Sequence, residues 1–242
     1  TQRPPGGPPA GPEQKQEAAR RRQKGAIRAC TDCLVGSGLF KFRRSAFRGP
    51  DPKVTLLVPP SSGLCSEAVP IDLSVNSATP LHSAALLSEC GQMEPRARDL
   101  ILLVRRWARD RGICHSSKGH LPPYAWTLLV IYYLQVCTEH GGPLLPPLDR
   151  FAKASGLLGS SAPGATWHPK ASEGPAASAA ALFAGFVGFL HRAVDWRKEA
   201  ADVRSGERAP PDAAADINVV IGADGVAAVG PTVPDPFEPS RN

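Results

Sequence analysis

The sequence predicts an α+β protein in which a small sheet is followed by a mainly helical domain. Two observations indicate this order: short extended segments occupy the chain up to about residue 75, and apolar residues recur at helical spacings after about residue 80. The composition is that of a folded protein, since 42% of the 242 residues are hydrophobic and 21% are charged.

Positive charge is concentrated at the front of the chain. Residues 1–53 contain 12 Lys and Arg against 4 Asp and Glu, a balance of +8, whereas residues 54–242 contain 16 against 18, a balance of −2. A basic segment on a near-neutral body indicates a polyanionic partner. Residues 1–24, a Pro/Gly run followed by polar and basic residues, are predicted to be disordered because they carry too little apolar surface to offset chain ordering.

Three extended segments follow, over residues 38–42, 53–58 and 69–75. The third alternates apolar and polar residues with a period of two, so its odd-numbered residues, from Val69 to Val75, should face the core. Asp72 then lies on the polar face of that strand. Such a carboxylate is either an ordinary aspartate of an edge strand or a functional group, and the alternation alone does not separate the two.

Four helices are predicted beyond residue 80, over His82–Cys90, Arg96–Arg111, Tyr124–Glu139 and Ala179–Ala193. The second has an apolar stripe at spacings of three and four, formed by Leu100, Leu103, Val104 and Trp107. A low-complexity insertion is predicted over residues 155–176, and irregular chain after Trp196.

Three arginines share one face of the second predicted helix, beside its apolar stripe. Arg98, Arg105 and Arg109 fall at i, i+7 and i+11. Arg105 and Arg109 lie one turn apart with few acids opposing them, and such a pair could clamp a triphosphate or a nucleic-acid backbone. A solvated basic face is the alternative.

The third predicted helix lies in an uncharged stretch, Leu121–Thr138, that is about as long as a short membrane span. It contains two prolines and a glutamine, and no other stretch resembles it, so we expect a buried core helix and no membrane association. The six cysteines include the C-x-x-C pair Cys30 and Cys33, but no second pair follows at ligand spacing. Reduced thiols of an intracellular protein are therefore favoured over a zinc site.

Several short motifs then occur in a fixed order. They are VPIDLSVN (residues 69–76), LH (81–82), LLVRRWAR (102–109), GHLPPYAWTL (119–128), DW (195–196), VRSG (203–206) and DPFE (235–238). In this order they resemble the terminal nucleotidyltransferases that add uridine or adenosine to RNA 3′ ends, namely the terminal uridylyltransferases and the cytoplasmic type of poly(A) polymerase. The resemblance covers roughly residues 38–242.

The resemblance implies a fold with two parts. The first is part of a polymerase β-like palm, a short mixed sheet over residues 25–80. The second is a mainly α-helical central, PAP-associated domain over residues 81–216, which holds the insertion at 155–176. Residues 217–242 would form a nucleotide-recognition segment.

The resemblance also implies roles for individual residues. Asp72 matches the third of three catalytic carboxylates that hold two Mg²⁺ (or Mn²⁺) ions in the family. Arg105 and Arg109 match a basic pair on the triphosphate, and Tyr124 matches an aromatic residue that stacks on the base. The remaining nucleotide-binding positions are Ser83, where the family commonly has an Asn at the ribose, the base-edge acids Asp235 and Glu238, and Arg241.

Two departures from the family pattern affect what is expected. The family's first two carboxylates come from an Asp-x-Asp pair, and this sequence has Gly36-Ser37 but no Asp-x-Asp. We expect a fragment that lacks these two ligands, with a catalytically inactive homologue as the alternative. Arg241 stands where uridylyltransferases commonly carry a His that disfavours adenine, and Arg could still exclude a purine and donate to a uracil carbonyl.

The resulting functional expectation is an enzyme that adds UMP, or alternatively AMP, from UTP or ATP to an RNA 3′ end by two-metal in-line attack. The expected partners are an RNA 3′ end and a nucleoside triphosphate, without a membrane. A nucleotide- and RNA-binding homologue without activity is the second hypothesis. The cytoplasm is the favoured compartment, with the mitochondrion and the nucleus as alternatives.

Overall fold

The computed structural model describes residues 11–48, 52–115, 118–137, 142–151, 176–196, 198–208, 219–221, 227–229 and 232–237. Apart from residue 176, the predicted insertion at 155–176 lies outside these ranges, and so do Glu238 and Arg241. The chain divides into two units, Thr1–Ala78 and Thr79–Asn242.

The first unit pairs one helix with a three-stranded antiparallel sheet. Helix α1 spans Pro12–Gly36, and strands β1 (Lys41–Ala46), β2 (Lys53–Val58) and β3 (Val69–Leu73) are ordered β1-β2-β3. Ile27 of α1 packs on Val54 and Leu56 of the central strand, and all three side chains are buried. A short 3₁₀ turn at Pro60–Ser62 follows β2.

The predicted disorder of residues 1–24 is wrong from Pro12 onwards, where α1 begins. Residues 14–24 consist of Ala, Arg, Lys, Gln and Glu, which all have high helix propensity, and Pro at the first helical position costs nothing. Two side chains also attach this helix to the rest of its unit. Arg20 donates to the backbone oxygen of Arg48 (2.9 Å), and Gln23 donates to that of Val75 (2.6 Å).

Strand β3 differs from its prediction in burial. Its odd-numbered residues share a sheet face with Val54, Leu56 and Val58, as predicted, but Val69 and Ile71 are 38% and 36% exposed. The reason is position: β3 is an edge strand, and the helix packs on the central strand. The first strand also begins later than predicted, at Lys41.

The second unit is built on helices α2 (Thr79–Met93), α3 (Pro95–Asp110), α4 (Pro123–Val136) and α5 (Ala179–Gly188). As predicted for a core helix, α4 is buried along almost its whole length. None of the described helices is long and apolar enough to cross a membrane. The fourth helix covers the predicted range, but it is α-helical only to Gly188. A π-helical turn follows over Phe189–Ala193.

Helix α3 turns a slightly different face inward than predicted. Its buried residues are Ala97, Leu100, Ile101, Val104 and Ala108. Leu103 of the predicted stripe is 39% exposed, while Trp107 packs edge-on against Trp126 of α4 at 5.7 Å between ring centroids. Alanines therefore occupy part of the buried side of α3, which the apolar spacing alone did not indicate.

The VRSG motif has a structural role in this fold. The Gln135 amide nitrogen near the end of α4 donates to the carbonyl oxygens of Pro146 (2.8 Å) and Val203 (3.0 Å). Gly206 has a φ of +60°, and a Cβ there would lie 3.2 Å from the Cα of Pro147. The motif therefore fixes the segment after α4 against the helix. Strands β4 (Val219–Ile221) and β5 (Ala227–Val229) pair antiparallel in the region predicted to be irregular.

Candidate functional site

In the second unit the structure brings together three of the predicted nucleotide-binding residues. Tyr124 lies in the first turn of α4, Ser83 near the start of α2, and Asp235 in the segment 232–237. The Tyr124 hydroxyl is buried and has no hydrogen-bond partner among the described residues, and Ser83 and the Asp235 carboxylate lie close to it. These three residues, hereafter called the nucleotide cluster, come from widely separated parts of the sequence.

Burial makes Tyr124 harder to ionise than an ordinary tyrosine. Burial raises the pKa of its phenol to about 12; the nearby hydroxyl of Ser83 works against this rise and the carboxylate of Asp235 adds to it. The phenol therefore stays protonated well above neutral pH, and the residue presents an uncharged ring and a hydroxyl. Its position just after Pro122 and Pro123 places it where the helix begins.

Asp235 is held in place by its own segment. Its side chain is buried, and one carboxylate oxygen accepts the backbone N–H of Phe237 at 3.0 Å. The segment is fixed at its start by Ala201, which donates to the carbonyl of Thr232 (2.9 Å). The ring of Phe237 packs on that of His82, with 4.8 Å between centroids.

His82 and Phe237 are neighbours of the nucleotide cluster that sequence reasoning did not assign to the site. Both lie inside the quoted motifs, LH and DPFE. The motifs therefore contained both residues, but only the fold shows that the two rings are in contact.

Arg105 and Arg109 are exposed on α3, one turn apart, as predicted. Among the described residues neither forms an ion pair, whereas their neighbour Arg106 is bound to Asp110 at 2.8 Å. The guanidinium groups are thus available to an anion. Arg98, on the same face, is exposed as well.

Asp72 lies in the first unit, on the polar face of β3. The β2–β3 register places Thr55 directly opposite it, and Arg44 of β1 is opposite Thr55. The Asp72 oxygens accept hydrogen bonds from Lys53 Nζ and Thr55 Oγ1, each at 2.6 Å. Partial burial raises the pKa of Asp72, but the hydrogen bonds from Lys53 and Thr55 and the charges of Lys53 and Arg44 lower it below its ordinary value.

These contacts bear on the metal that the resemblance implies. Within the described part of the chain, no group of three His, Cys, Asp or Glu side chains could hold a metal ion. Asp72 is a single carboxylate whose two oxygens already have donors, whereas Mg²⁺ takes six oxygen ligands in near-octahedral geometry. The described residues therefore do not by themselves fit a two-metal site. Lys53 and Thr55 were missed at the sequence level, although their spacing of two places them on one strand face.

Within the residues that the structure describes, the cysteines form no cluster with other metal-ligating side chains. All six are free thiols, and Cys30 and Cys33 are exposed on α1.

Comparison with solved structures identifies the fold. The chain superposes on the RNA terminal uridylyl transferase Cid1 with a TM-score of 0.65 and 20% identity, over 92% of this chain and 66% of that one. It superposes on mtPAP in complex with UTP with a TM-score of 0.64 and 19% identity, over 91% of this chain and 44% of that one. The chain therefore shares the fold of these two proteins.

Proteins with similar sequences include two poly(A) RNA polymerases. Poly(A) RNA polymerase GLD2-A of Xenopus laevis is 29% identical over 146 residues, which are 57% of this chain and 28% of the relative. Poly(A) RNA polymerase GLD2 of Homo sapiens is 31% identical over 151 residues, 60% of this chain and 30% of the relative. No protein-family model matches the sequence. The chain is thus similar to part of these poly(A) RNA polymerases, and it spans less than a third of their length.

Proposed function

We propose that this protein acts in RNA 3′-terminal nucleotidyl transfer, in which the RNA 3′-hydroxyl attacks the α-phosphorus of a nucleoside triphosphate and pyrophosphate leaves. The observation that carries the proposal is the nucleotide cluster. Ser83, Tyr124 and Asp235 meet in one place, and these are the positions that the resemblance assigns to the ribose, the base face and the base edge.

The side chains divide the recognition of the nucleotide among them. The Tyr124 ring stacks on the base, and Asp235, together with Glu238, accepts hydrogen bonds from base-edge donors. Arg105 and Arg109 neutralise the triphosphate, since guanidinium groups donate in a fork that fits phosphate oxygens.

The choice between UTP and ATP has support on both sides. Arg241 favours UTP, because a long donor at the end of the recognition segment excludes a purine and can donate to a uracil carbonyl. The names of the curated relatives, which are poly(A) polymerases, favour ATP. We propose UTP as the preferred substrate, with ATP as the alternative. Competition of UTP and ATP against a fluorescent nucleotide distinguishes the two, and tighter binding of ATP would overturn the preference.

The resemblance implies Mg²⁺ or Mn²⁺ with Asp72 as one ligand, and we carry that role forward as a proposal for the transferring enzyme. The second candidate function is a nucleotide- and RNA-binding homologue without transferase activity. It is favoured by one observation: Asp72 has no carboxylate partners that could complete a metal site within the described residues. For both candidates the partners are an RNA 3′ end and a nucleoside triphosphate, and the cytoplasm is the favoured compartment.

Nucleotide binding tests the shared part of the proposal. Tyr124→Ala should weaken binding of UTP about tenfold or more, since a stacked base is worth about 1–3 kcal/mol. Tyr124→Phe keeps the ring and should retain most of the affinity. Tyr132→Phe, a hydroxyl deletion in the same helix, is the matched control. Equal affinity in Tyr124→Ala and the unmodified chain would contradict the proposed site.

A transfer assay separates the two candidates. Extension of a labelled RNA oligonucleotide by the protein, lost in Asp72→Ala while nucleotide binding persists, supports the transferase. Nucleotide binding without extension under Mg²⁺ or Mn²⁺ supports the inactive homologue. Extension that survives Asp72→Ala would exclude a metal-ligand role for Asp72.

A further inference from the structure

The ring pair of His82 and Phe237 lies beside the nucleotide cluster and joins helix α2 to the segment 232–237. His82 is next to Ser83 near the start of α2, and Phe237 follows Asp235 by two residues. The two partly buried rings lie 4.8 Å apart between centroids, with their planes tilted by 42°. Aromatic pairs at this distance contribute stability beyond the area that they bury. The pair is therefore a specific contact between two parts of the site.

Phe237 in turn holds the carboxylate of Asp235. Its backbone N–H donates to one carboxylate oxygen at 3.0 Å, while its ring packs on His82. The same residue thus contacts the acid through its main chain and α2 through its side chain. A shift of the Phe237 ring would move the N–H that orients Asp235.

The segment is attached near both of its ends. At its start, the backbone N–H of Ala201 donates to the carbonyl of Thr232 at 2.9 Å. At its other end, Phe237 packs on His82. Loss of the His82 ring would therefore loosen the end that carries Asp235 and leave the start in place.

His82 makes this contact with its ring and not with its buried nitrogen. Its Nδ1 is buried and has no hydrogen-bond partner within the described residues. A buried polar atom without a partner costs free energy, so Nδ1 does not hold the ring in place. A phenylalanine at this position should therefore keep the contact and lose no hydrogen bond at Nδ1.

We propose that His82 is a positioning residue for base recognition: its ring holds Phe237 and thereby keeps Asp235 at the edge of the bound base. The inference deepens the proposed function and rests on it for the base-edge role of Asp235. His82 then controls how well the site distinguishes base edges. It leaves the binding of the triphosphate by Arg105 and Arg109 unchanged.

The test compares UTP with N3-methyl-UTP, which lacks the N3–H donor, in competition against a fluorescent nucleotide on the purified full chain. The unmodified chain should prefer UTP about tenfold, since Asp235 offers a charged acceptor. His82→Ala should reduce this preference to about threefold or less, because the carboxylate is no longer held. Its affinity for inorganic tripolyphosphate should not change. His82→Phe keeps a ring against Phe237 and should retain the preference.

Two controls separate positioning from a general loss of stability. Asp235→Ala should itself reduce the preference for UTP, and adding His82→Ala to it should reduce the preference no further, because both changes act through one carboxylate. Phe189→Ala truncates a partly buried ring that lies 5.4 Å from Tyr133 between centroids, and it should keep the preference. If His82→Ala fails to fold, Phe237→Ala removes the other ring of the pair and carries the same expectation.

The possible results distinguish this inference from the proposed function. Full preference for UTP in folded His82→Ala, or an equal loss in His82→Phe and His82→Ala, would overturn the inference alone. An unmodified chain that binds no nucleotide would contradict the proposed function and the inference with it. If ATP is the tighter ligand, ATP and N6,N6-dimethyl-ATP replace the uridine pair, since dimethylation removes the N6–H donors of adenine and the same changes in preference are expected.

Discussion

At the scale of single residues, Glu94 shows how one side chain can serve two purposes. Glu94 is the N-cap of α3 and accepts the backbone N–H of Arg96 at 3.1 Å. The Arg96 guanidinium donates to both of its carboxylate oxygens, at 2.8 and 2.7 Å, and to the carbonyl of Ala177 at 3.1 Å. A buried carboxylate thus begins the helix and fixes the chain that precedes α5.

We expect Glu94→Gln to lower the free energy of unfolding by about 1–2 kcal/mol, the value of hydrogen bonds to a charged group. The hydrogen bonds from Arg96 lower the pKa of Glu94 below its ordinary value of 4.5. The stabilisation is therefore complete above about pH 4.5 and is lost as the pH falls through the lowered pKa of the folded state. Thermal unfolding between pH 3 and 7 measures both effects.

The control for this prediction is Asp110→Asn, which removes an exposed ion pair with Arg106. It should change stability by less than about 1 kcal/mol. A Glu94→Gln protein with the same pH profile as the unmodified chain would show that Glu94 contributes no charge-dependent stability.

At the scale of elements, the connection between α4 and the VRSG motif depends on a close backbone approach. Gly206 has a φ of +60°, and an added Cβ would lie 3.3 Å from the side chains of Gln135 and Pro147. Gly112 after α3 has a φ of +71°, but a Cβ there meets nothing within 4 Å. The two glycines therefore share a left-handed backbone conformation and differ in the space available for a side chain.

Both Gly112→Ala and Gly206→Ala should destabilise the protein by about 1 kcal/mol through the left-handed backbone. Gly206→Ala should cost about 1–2 kcal/mol more because its neighbours have to move. Urea unfolding of the two variants gives this difference directly. Equal losses would mean that Pro147 and Gln135 move aside freely.

At the scale of the whole molecule, the uneven charge of the chain favours an RNA-binding role for its front end. Helix α1 exposes Lys15, Arg21, Arg22 and Arg28, and β1 is exposed along its whole length, including Phe42 at 55%. Surfaces that bind single-stranded nucleic acid typically combine basic side chains with exposed aromatics.

We expect the chain to bind a single-stranded RNA oligonucleotide with an affinity that falls about tenfold or more between 50 and 200 mM salt, as release of counterions from a few phosphates requires. Replacing Arg21 and Arg28 with Glu should weaken binding and flatten the salt dependence. The control is the same double charge change at the exposed residues Arg150 and Arg192. Binding that is insensitive to salt, or weakened equally by both pairs, would argue against α1 as the RNA-binding surface.

The sequence by itself determined that a small sheet precedes four helices, and it singled out Ser83, Tyr124 and Asp235 as candidate residues. It could do so because period-two and helical patterns are local, and because motifs such as DPFE keep their order along the chain. It failed for residues 12–24, where low hydrophobicity suggested disorder but Ala- and Arg-rich composition favours a helix that side-chain contacts hold.

Only the tertiary structure decided which groups surround each candidate residue. Strand register places Lys53 and Thr55 on Asp72, and the packing of segment 232–237 brings Asp235 to Tyr124 and Phe237 to His82. Because β3 is an edge strand, Val69 and Ile71 are more than a third exposed in spite of a core-like pattern. These facts depend on contacts between residues distant in sequence, which periodicity does not record.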